Sequence, residues 1–212
     1  MSISVLTIGA GGAFGQPLLQ EFIRQKASFK TVAILAVNKQ KADKFAWTEG
    51  EGAKIVVGSF LDPAPYSGTA FKHRITCFQL TNELGFTHVI SVVGNPILRL
   101  QSSMIEVAIS AGVTHFYPSE WNSNISQREI YSMRYFRDKQ VTRSHLAAVA
   151  RLHPEFRYTL LITGIFTKWA VGGSDHQSNR VAVYGRLDAS VGVTSIPEYV
   201  PRALYCSLFV RK

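Results

Sequence analysis

Apolar residues alternate along the chain between short solid runs and stretches of helical spacing. ISVLTI, Ile3 to Ile8, is an apolar run of strand length that ends in glycines. Leu18, Leu19, Phe22 and Ile23 then recur at the intervals of one helix face and predict a helix over Gln16 to Ala27. Thr31 to Val37 reads as a second strand, Lys41 to Glu49 as a short helix and Lys54 to Val57 as a third strand. Thr87 to Val93 (THVISVV) is a further strand, and Ile97 to Ala111 a helix that Gly112 ends, where a left-handed cap is common. Val113 to Tyr117 is predicted as strand. Ser126 to Leu152 is largely helical and stopped by His153-Pro154, and Arg157 to Thr163 is a strand. Ser195-Ile196-Pro197-Glu198 has the form of a helix start, a serine cap with proline in the first turn and glutamate three residues on. Strands that are apolar on both faces, alternating with helices, predict an α/β fold with a doubly wound parallel sheet.

The turn between the first strand and the first helix carries the first candidate chemistry. IGAGGAFGQPL places Gly9, Gly12 and Gly15 at G-x-x-G-x-x-G spacing in the strand–loop–helix context that a dinucleotide site requires. One glycine permits the tight turn, one lets the backbone approach a pyrophosphate, and one lets helix and strand pack closely. The helix N-terminus offers free N–H groups to phosphate. About 20 residues on, an NAD site usually has an acid for the ribose 2′-hydroxyl. Here the second strand runs into AVNKQKADK, with Asn38, Lys39, Lys41 and Lys44, and Asp43 already within the helix. Lysines attract the 2′-phosphate that an acid would repel, so NADP(H) is expected over NAD(H); as ordinary surface charges they would carry no such preference.

Composition narrows the classes. The 212 residues include 23 Lys and Arg against 14 Asp and Glu, a formal charge of +9. The basic excess is densest in Arg128, Arg134, Arg137, Lys139, Arg143, Arg151 and Arg157, interleaved with Glu129, Asp138 and Glu155. With no recognition module or Cys/His finger beside it, this reads mostly as a solvated helix face and argues against nucleic-acid binding. Apolar runs such as Tyr158 to Phe166 are too short to span a bilayer, and the N-terminus lacks the basic region of a signal peptide. Two cysteines, Cys77 and Cys206, make neither a disulfide framework nor a metal cluster, and the histidines show no metal spacing. A reduced, intracellular protein without a metal is expected. His115, alternating with apolar strand residues, reads as structural.

YSMRYFRDKQ, Tyr131 to Gln140, places Tyr135 four residues before Lys139. On a helix this pair shares one face. Spacing alone leaves open a catalytic pair or two surface residues.

The glycine loop, THVISVVG, ISAGV, THFYPSEW, YFRDKQVTRSHL and YTLLITGIF occur in a characteristic order. On these motifs, above all GVTHFYPSEWNSN and YTLLITGIFTKW, nearly all of the chain resembles the NmrA-like and isoflavone-reductase-like family of atypical short-chain dehydrogenases/reductases, in its fungal form. The resemblance implies a Rossmann domain over residues 1–164 binding NADPH and a small, partial substrate region over 165–212. It implies that Ala13 and Phe14 lie along the cofactor and Gly94 and Asn95 near its adenine or ribose side. Pro118 and Ser119 are implied at the nicotinamide end, where Thr163, Gly164 and Phe166 form a wall. Lys139 matches the lysine that acts in proton transfer beside the nicotinamide ribose. Tyr135 has the Tyr-x-x-x-Lys pattern of the wider superfamily, in which the tyrosine donates a proton and the ammonium lowers its pKa from about 10; the alternative is an aromatic anchor for the helix. Ser119 and Ser123 are candidate hydroxyl partners for a substrate oxygen, or turn formers. Glu120-Trp121 reads as loop-shaping.

The chain departs from the family's pattern twice. HRITCFQLTNELGF, His73 to Phe86, reads as an insertion, and Lys212 comes before the substrate lobe of the family is complete. The expected function is an NADPH-dependent reductase of a small aromatic or phenolic carbonyl or enone. The competing class is a non-catalytic NADP(H)-sensing regulator of NmrA type acting through a protein partner. The first is expected in the cytoplasm and the second also in the nucleus.

Overall fold

A computed structural model describes residues 3–62, 85–126, 131, 133–166, 174–175, 180–181, 193–194 and 200–209. Its centre is a parallel sheet of six short strands: β1 (Ile3–Ile8), β2 (Phe29–Ala36), β3 (Lys54–Val57), β4 (His88–Ser91), β5 (His115–Tyr117) and β6 (Arg157–Tyr158). Their spatial order is β3-β2-β1-β4-β5-β6. This is the doubly wound Rossmann order, with its switch point between β1 and β4. The register there pairs Val5 with His88 and Ile8 with Ser91. The loops leaving β1 and β4 therefore emerge side by side at the carboxyl edge, where ligands of such sheets gather.

Helices cover both faces. On one lie α1 (Gly15–Arg24) and, at the far end of the described chain, a helix over Val200–Leu208. Leu18, Leu19 and Phe22 of α1 join Val200, Leu204 and Leu208 in one core cluster with Val5, Val32, Ile34 and Ile90 of the sheet. The opposite face is covered by helices over Gln101–Ser110 and Arg137–Leu152. Their Met104, Ile105, Ala108 and Leu146 pack on Leu6, Ile8, Val89 and Phe116. Every β1 residue from Ser4 to Ile8 is buried, since the strand is covered on both sides.

The expected elements are present with altered limits. The helix predicted over Lys41 to Glu49 is two short ones, α2 (Lys39–Asp43) and α3 (Ala46–Gly50). The one predicted over Ile97 to Ala111 is α4 (Asn95–Leu98) followed by α5 (Gln101–Ser110). Gly112 does take a left-handed conformation, φ +84°, just beyond α5. The long basic helix is α6 (Arg137–Leu152), preceded by a 3-10 turn over Arg134–Phe136. The predicted strand over Arg157 to Thr163 pairs only as β6, with an isolated bridge from Ile162 to Asn122. Further strand pairs join Ile165–Phe166 to Val193–Thr194 and Ser174–Asp175 to Arg180–Val181, and α7 is the helix Val200–Leu208. Residues 73–84 of the insertion and the helix start at Ser195 to Glu198 lie outside the described residues; Phe86, its last residue, is buried in the core.

His115 is indeed structural. It stands at the start of β5, away from the carboxyl edge, stacked between His88 (5.1 Å) and Tyr117 (4.6 Å), with Nε2 2.8 Å from Thr159 Oγ1. Burial pushes His88 down to about 4, so this stack holds a neutral imidazole at pH 7. Among the described residues no helix is long and apolar enough to cross a membrane.

Candidate functional site

Strand geometry brings four loops together at the carboxyl edge. They follow β1, β4 and β5 and precede the strand at Ile165. Between them lies a cavity of about 380 Å³, within the ~300–1,000 Å³ range of small-ligand sites. Ten predicted site residues line it: Gly12, Ala13, Phe14, Gly94, Asn95, Ser119, Tyr135, Lys139, Gly164 and Phe166. Ser123 lines it as well.

The glycine loop divides its work. Gly9 has φ +90°, and a Cβ there would stand 2.8 Å from the Val92 carbonyl oxygen. Gly9 thus makes the turn and lets the β1 loop touch the end of β4. At Gly15 a Cβ would meet Gly9 O at 2.5 Å and Ala10 Cα at 2.6 Å, so the first turn of α1 presses on the loop backbone. At Gly12 the nearest atom is Gly9 O at 3.5 Å, an ordinary contact. Folding does not demand glycine at position 12, yet this residue is exposed and lines the cavity. That combination fits a loop whose backbone a pyrophosphate approaches.

Phe14, the residue before α1, is buried and anchors an aromatic wall. Its ring lies 4.6 Å from Trp121 and 5.7 Å from Phe166, centroid to centroid. Trp121 has φ +29°, the left-handed region in which a bulky side chain is strained by ~1–3 kcal/mol. Its indole N–H donates to Ser91 O at 2.9 Å, fixing the ring over the end of β4. Ser119 is equally fixed: its N–H donates to Gln101 Oε1 (2.8 Å) and its hydroxyl to Val93 O (2.7 Å). That hydroxyl is a loop fastener first.

Lys139 is buried, 7% exposed. Helix periodicity puts it there, because the buried stripe of α6 is Lys139, Thr142, Leu146 and Val149. Nζ donates to the backbone oxygen of Glu120. The Asn122 carboxamide satisfies its surroundings when its oxygen accepts from Lys139 Nζ at 2.9 Å, its nitrogen then donating to Glu120 O and Ser123 O at 3.0 Å each. Burial lowers the ammonium pKa to about 8; the Glu120 carboxylate opposes this shift and the Arg143 guanidinium adds to it. Below pH 8 the folded protein carries a poorly hydrated charge, which it sheds as pH rises from about 8 toward the 10.5 of a free lysine. Over that window the unfolded chain holds the extra proton, so this residue's contribution to stability rises with pH, by ~3 kcal/mol in all. Lys139→Met is therefore expected to be more stable than wild type at pH 7, the gap closing by pH 10.5. Parallel urea melts of the two proteins across that range measure it, and a gap that stays constant would refute the buried charge.

Tyr135 also lines the cavity, but it lies in the 3-10 turn ahead of α6 and is 66% exposed. It is not a buried anchor of the helix. Asn38 and Lys39 stand outside this cavity, exposed at the turn after β2. Asn38 Oδ1 caps α2 by accepting from Lys41 N–H at 2.9 Å. Pro118 is buried behind Ser119, and Thr163 is half-buried beside Gly164, whose φ of +75° turns the chain toward Phe166. The reading of the basic residues as a solvated face holds for Arg134, Arg137, Arg151 and Arg157, all exposed. It fails for Lys139 and for Arg143, which forms a largely buried ion pair with Glu120 at 2.6 Å. Among the described residues no group of three or more His, Cys, Asp and Glu is placed to hold a metal.

Sequence reasoning passed over Asn122, Phe136, Gln101 and Arg143 at or behind this site. Only Arg143 left a usable signal, its position one helical turn beyond Lys139.

The NmrA-like family profile matches residues 1–173. The chain belongs to the NmrA-like family. No curated protein matches it in sequence. Among solved structures it is similar to the binary complex of leucoanthocyanidin reductase with NADPH from Vitis vinifera, with 18% identity and TM-score 0.63, over 95% of this chain and 63% of that one. It is also similar to AtPrR2 with NADP+ and (+)pinoresinol, with 19% identity and TM-score 0.69, over 96% of this chain and 66% of that one. The Citrobacter sp. triphenylmethane reductase complexed with NADP(H) gives 16% identity and TM-score 0.66, over 99% and 67%. These likenesses are of fold. The chain spans about two thirds of the length of each of these structures.

Proposed function

We propose that this NmrA-like protein is an NADPH-dependent reductase of a small aromatic or phenolic carbonyl or enone compound. The observation that carries the reading is a buried amine, Lys139, on a cavity whose other wall is the glycine loop. NADP(H), when bound, supplies the hydride. Gly12, Ala13 and Phe14 would hold its phosphates and backbone, with Gly94 and Asn95 on one side and Ser119, Gly164 and Phe166 around the reacting end.

The protein's own residues handle the proton. An ammonium has three N–H donors. Glu120 O and Asn122 Oδ1 take two, leaving one for a substrate oxygen in the cavity. A pKa of about 8 keeps Lys139 mainly protonated at pH 7, yet close enough to neutrality to give the proton up. The exposed phenol of Tyr135 lines the same cavity and is suited to relaying that proton. Phe14, Trp121 and Phe166 offer the flat apolar surface an aromatic substrate packs against. The region from residue 165 onward would add further substrate contacts, of which Phe166 is the first. A regulator that only holds NADP(H) needs the glycine loop but has no use for a buried, easily deprotonated amine, and this favours the reductase. The solved reductases of this fold that hold NADPH, NADP+ or NADP(H) support the cofactor. The test is loss of nicotinamide absorbance when the chain, NADPH and a panel of aromatic carbonyls and enones are mixed. Consumption that depends on Lys139 supports the reading, and none across the panel from a protein that binds NADPH favours the regulator.

Cofactor choice is assigned to the turn after β2. Asn38 shapes the turn, and Lys39, Lys41 and Lys44 are exposed around it. Lys39→Glu is expected to weaken NADPH binding on the order of tenfold at low salt with little change for NADH. Equal losses for both cofactors would remove Lys39 from 2′-phosphate recognition.

A further inference from the structure

Arg143 touches no reacting group, yet its guanidinium holds two residues of the loop behind the cavity wall. It follows Lys139 by one turn of α6. Nη2 donates to Glu120 Oε2 at 2.6 Å, and Nη1 donates to Ser126 Oγ at 2.8 Å. The Glu120 side chain is 1% exposed and that of Arg143 16%. One guanidinium thus fastens both ends of the loop 120–126 to the helix. Trp121 and Asn122 lie between the two fastenings, and Lys139 Nζ is held by Glu120 O and Asn122 Oδ1.

The loop does not have an intrinsically comfortable shape. Trp121 is left-handed at φ +29°. Glu120 Oε1 is buried with no hydrogen-bond partner, a state that a carboxylate tolerates only beside a cation. Conformations of this kind persist when their surroundings over-determine them.

We propose that Arg143 is a positioning residue: by clamping Glu120 and Ser126 to α6, it fixes the two oxygens that hold the Lys139 ammonium at the cavity wall. The proposal rests on the reading of Lys139 as the proton donor. The charged groups facing that ammonium are Glu120 from the loop after β5 and Arg143 from its own helix, and the phenol of Tyr135 shares the cavity. Loss of Arg143 removes a positive neighbour, leaves the carboxylate unneutralised and frees the loop to admit water. All three changes favour the ammonium.

The decisive measurement is the titration of the Lys139 side chain by carbon NMR in the apo protein, its signal assigned by its absence in Lys139→Arg. Arg143→Met is expected to raise the midpoint by roughly one pH unit. An unchanged midpoint in a folded Arg143→Met protein would overturn the clamp. Should that variant not fold, Ser126→Ala, which leaves every charge in place and releases one end of the loop from Arg143, is expected to raise the midpoint by admitting water; no movement there is equally fatal. Arg143→Lys keeps the charge but lacks the fork that spans Glu120 and Ser126. It is expected to titrate near wild type and lose roughly tenfold in kcat with little change in KM, and full kcat in this variant would reduce the clamp to a charge effect. If Lys139→Ala retains turnover, the proton-donor reading has failed and not the clamp, which the apo titration still decides.

Discussion

Gly12→Ala is expected to lose NADPH affinity while keeping its stability, and Gly15→Ala to lose both. The two positions differ in what a methyl group meets. At residue 15 it meets backbone atoms at 2.5 to 2.7 Å, none of which can rotate away. Either α1 or the loop must shift, at a cost of ~2–3 kcal/mol. For a chain of this size that is a fall in Tm of roughly 5–10 °C. At residue 12 the methyl meets only Gly9 O, at 3.5 Å. The apo protein should melt within ~0.5 kcal/mol of wild type. The same methyl stands on the cavity wall where the phosphates are to approach the backbone. Loss of two charge-assisted hydrogen bonds at ~1.5 kcal/mol each weakens binding on the order of 100-fold. Thermal melts with and without NADPH read both quantities. Intact binding in Gly12→Ala would mean that this part of the loop is not a phosphate cradle.

Lys139→Ala is expected to lower kcat by ~10²–10⁴-fold, the usual worth of a positioned acid. NADPH affinity should change much less, since the glycine loop remains. Lys139→Arg should not rescue, because a guanidinium does not release its proton near neutrality. The wild-type pH profile carries the signature. Lys139 must be protonated to donate, and burial sets its pKa near 8. Turnover in the direction of reduction should be level below that value and fall about tenfold per unit above it. A profile that rises through pH 8 would assign Lys139 to proton removal instead, and a flat one would take it out of the chemistry.

Much of this arrangement was legible in the chain because each signal had one strong physical reading. A glycine loop between a buried strand and an amphipathic helix has few structural contexts, and a doubly wound parallel sheet followed from it and from the alternation of strands and helices. Ten of the expected site residues meet at one cavity because six of them follow β1, β4 and β5 at the same sheet edge and the start of α6 and the turn into the strand at Ile165 close over that edge. Pattern reading failed where contacts override periodicity. The phase of the Tyr135–Lys139 pair is broken by a 3-10 turn, leaving the tyrosine exposed and the lysine buried. Lys139 joins an apolar stripe that its charge disguised. Arg143 looked like a surface residue because sequence does not show that its helix and the loop of Glu120, 23 residues away, face one another. Trp121 as a left-handed aromatic had no sequence signature at all.

The cavity at the β1–β4 switch point of this NmrA-like chain is proposed to take NADP(H). The most direct measurement is titration of the 212-residue protein with NADPH and with NADH, nicotinamide fluorescence and Tm followed together. Saturable binding that prefers NADPH and raises Tm, and that Gly12→Ala removes without lowering the apo Tm, is the predicted result. A folded protein that gives no saturable signal with NADPH, or one that binds NADH more tightly, would contradict it.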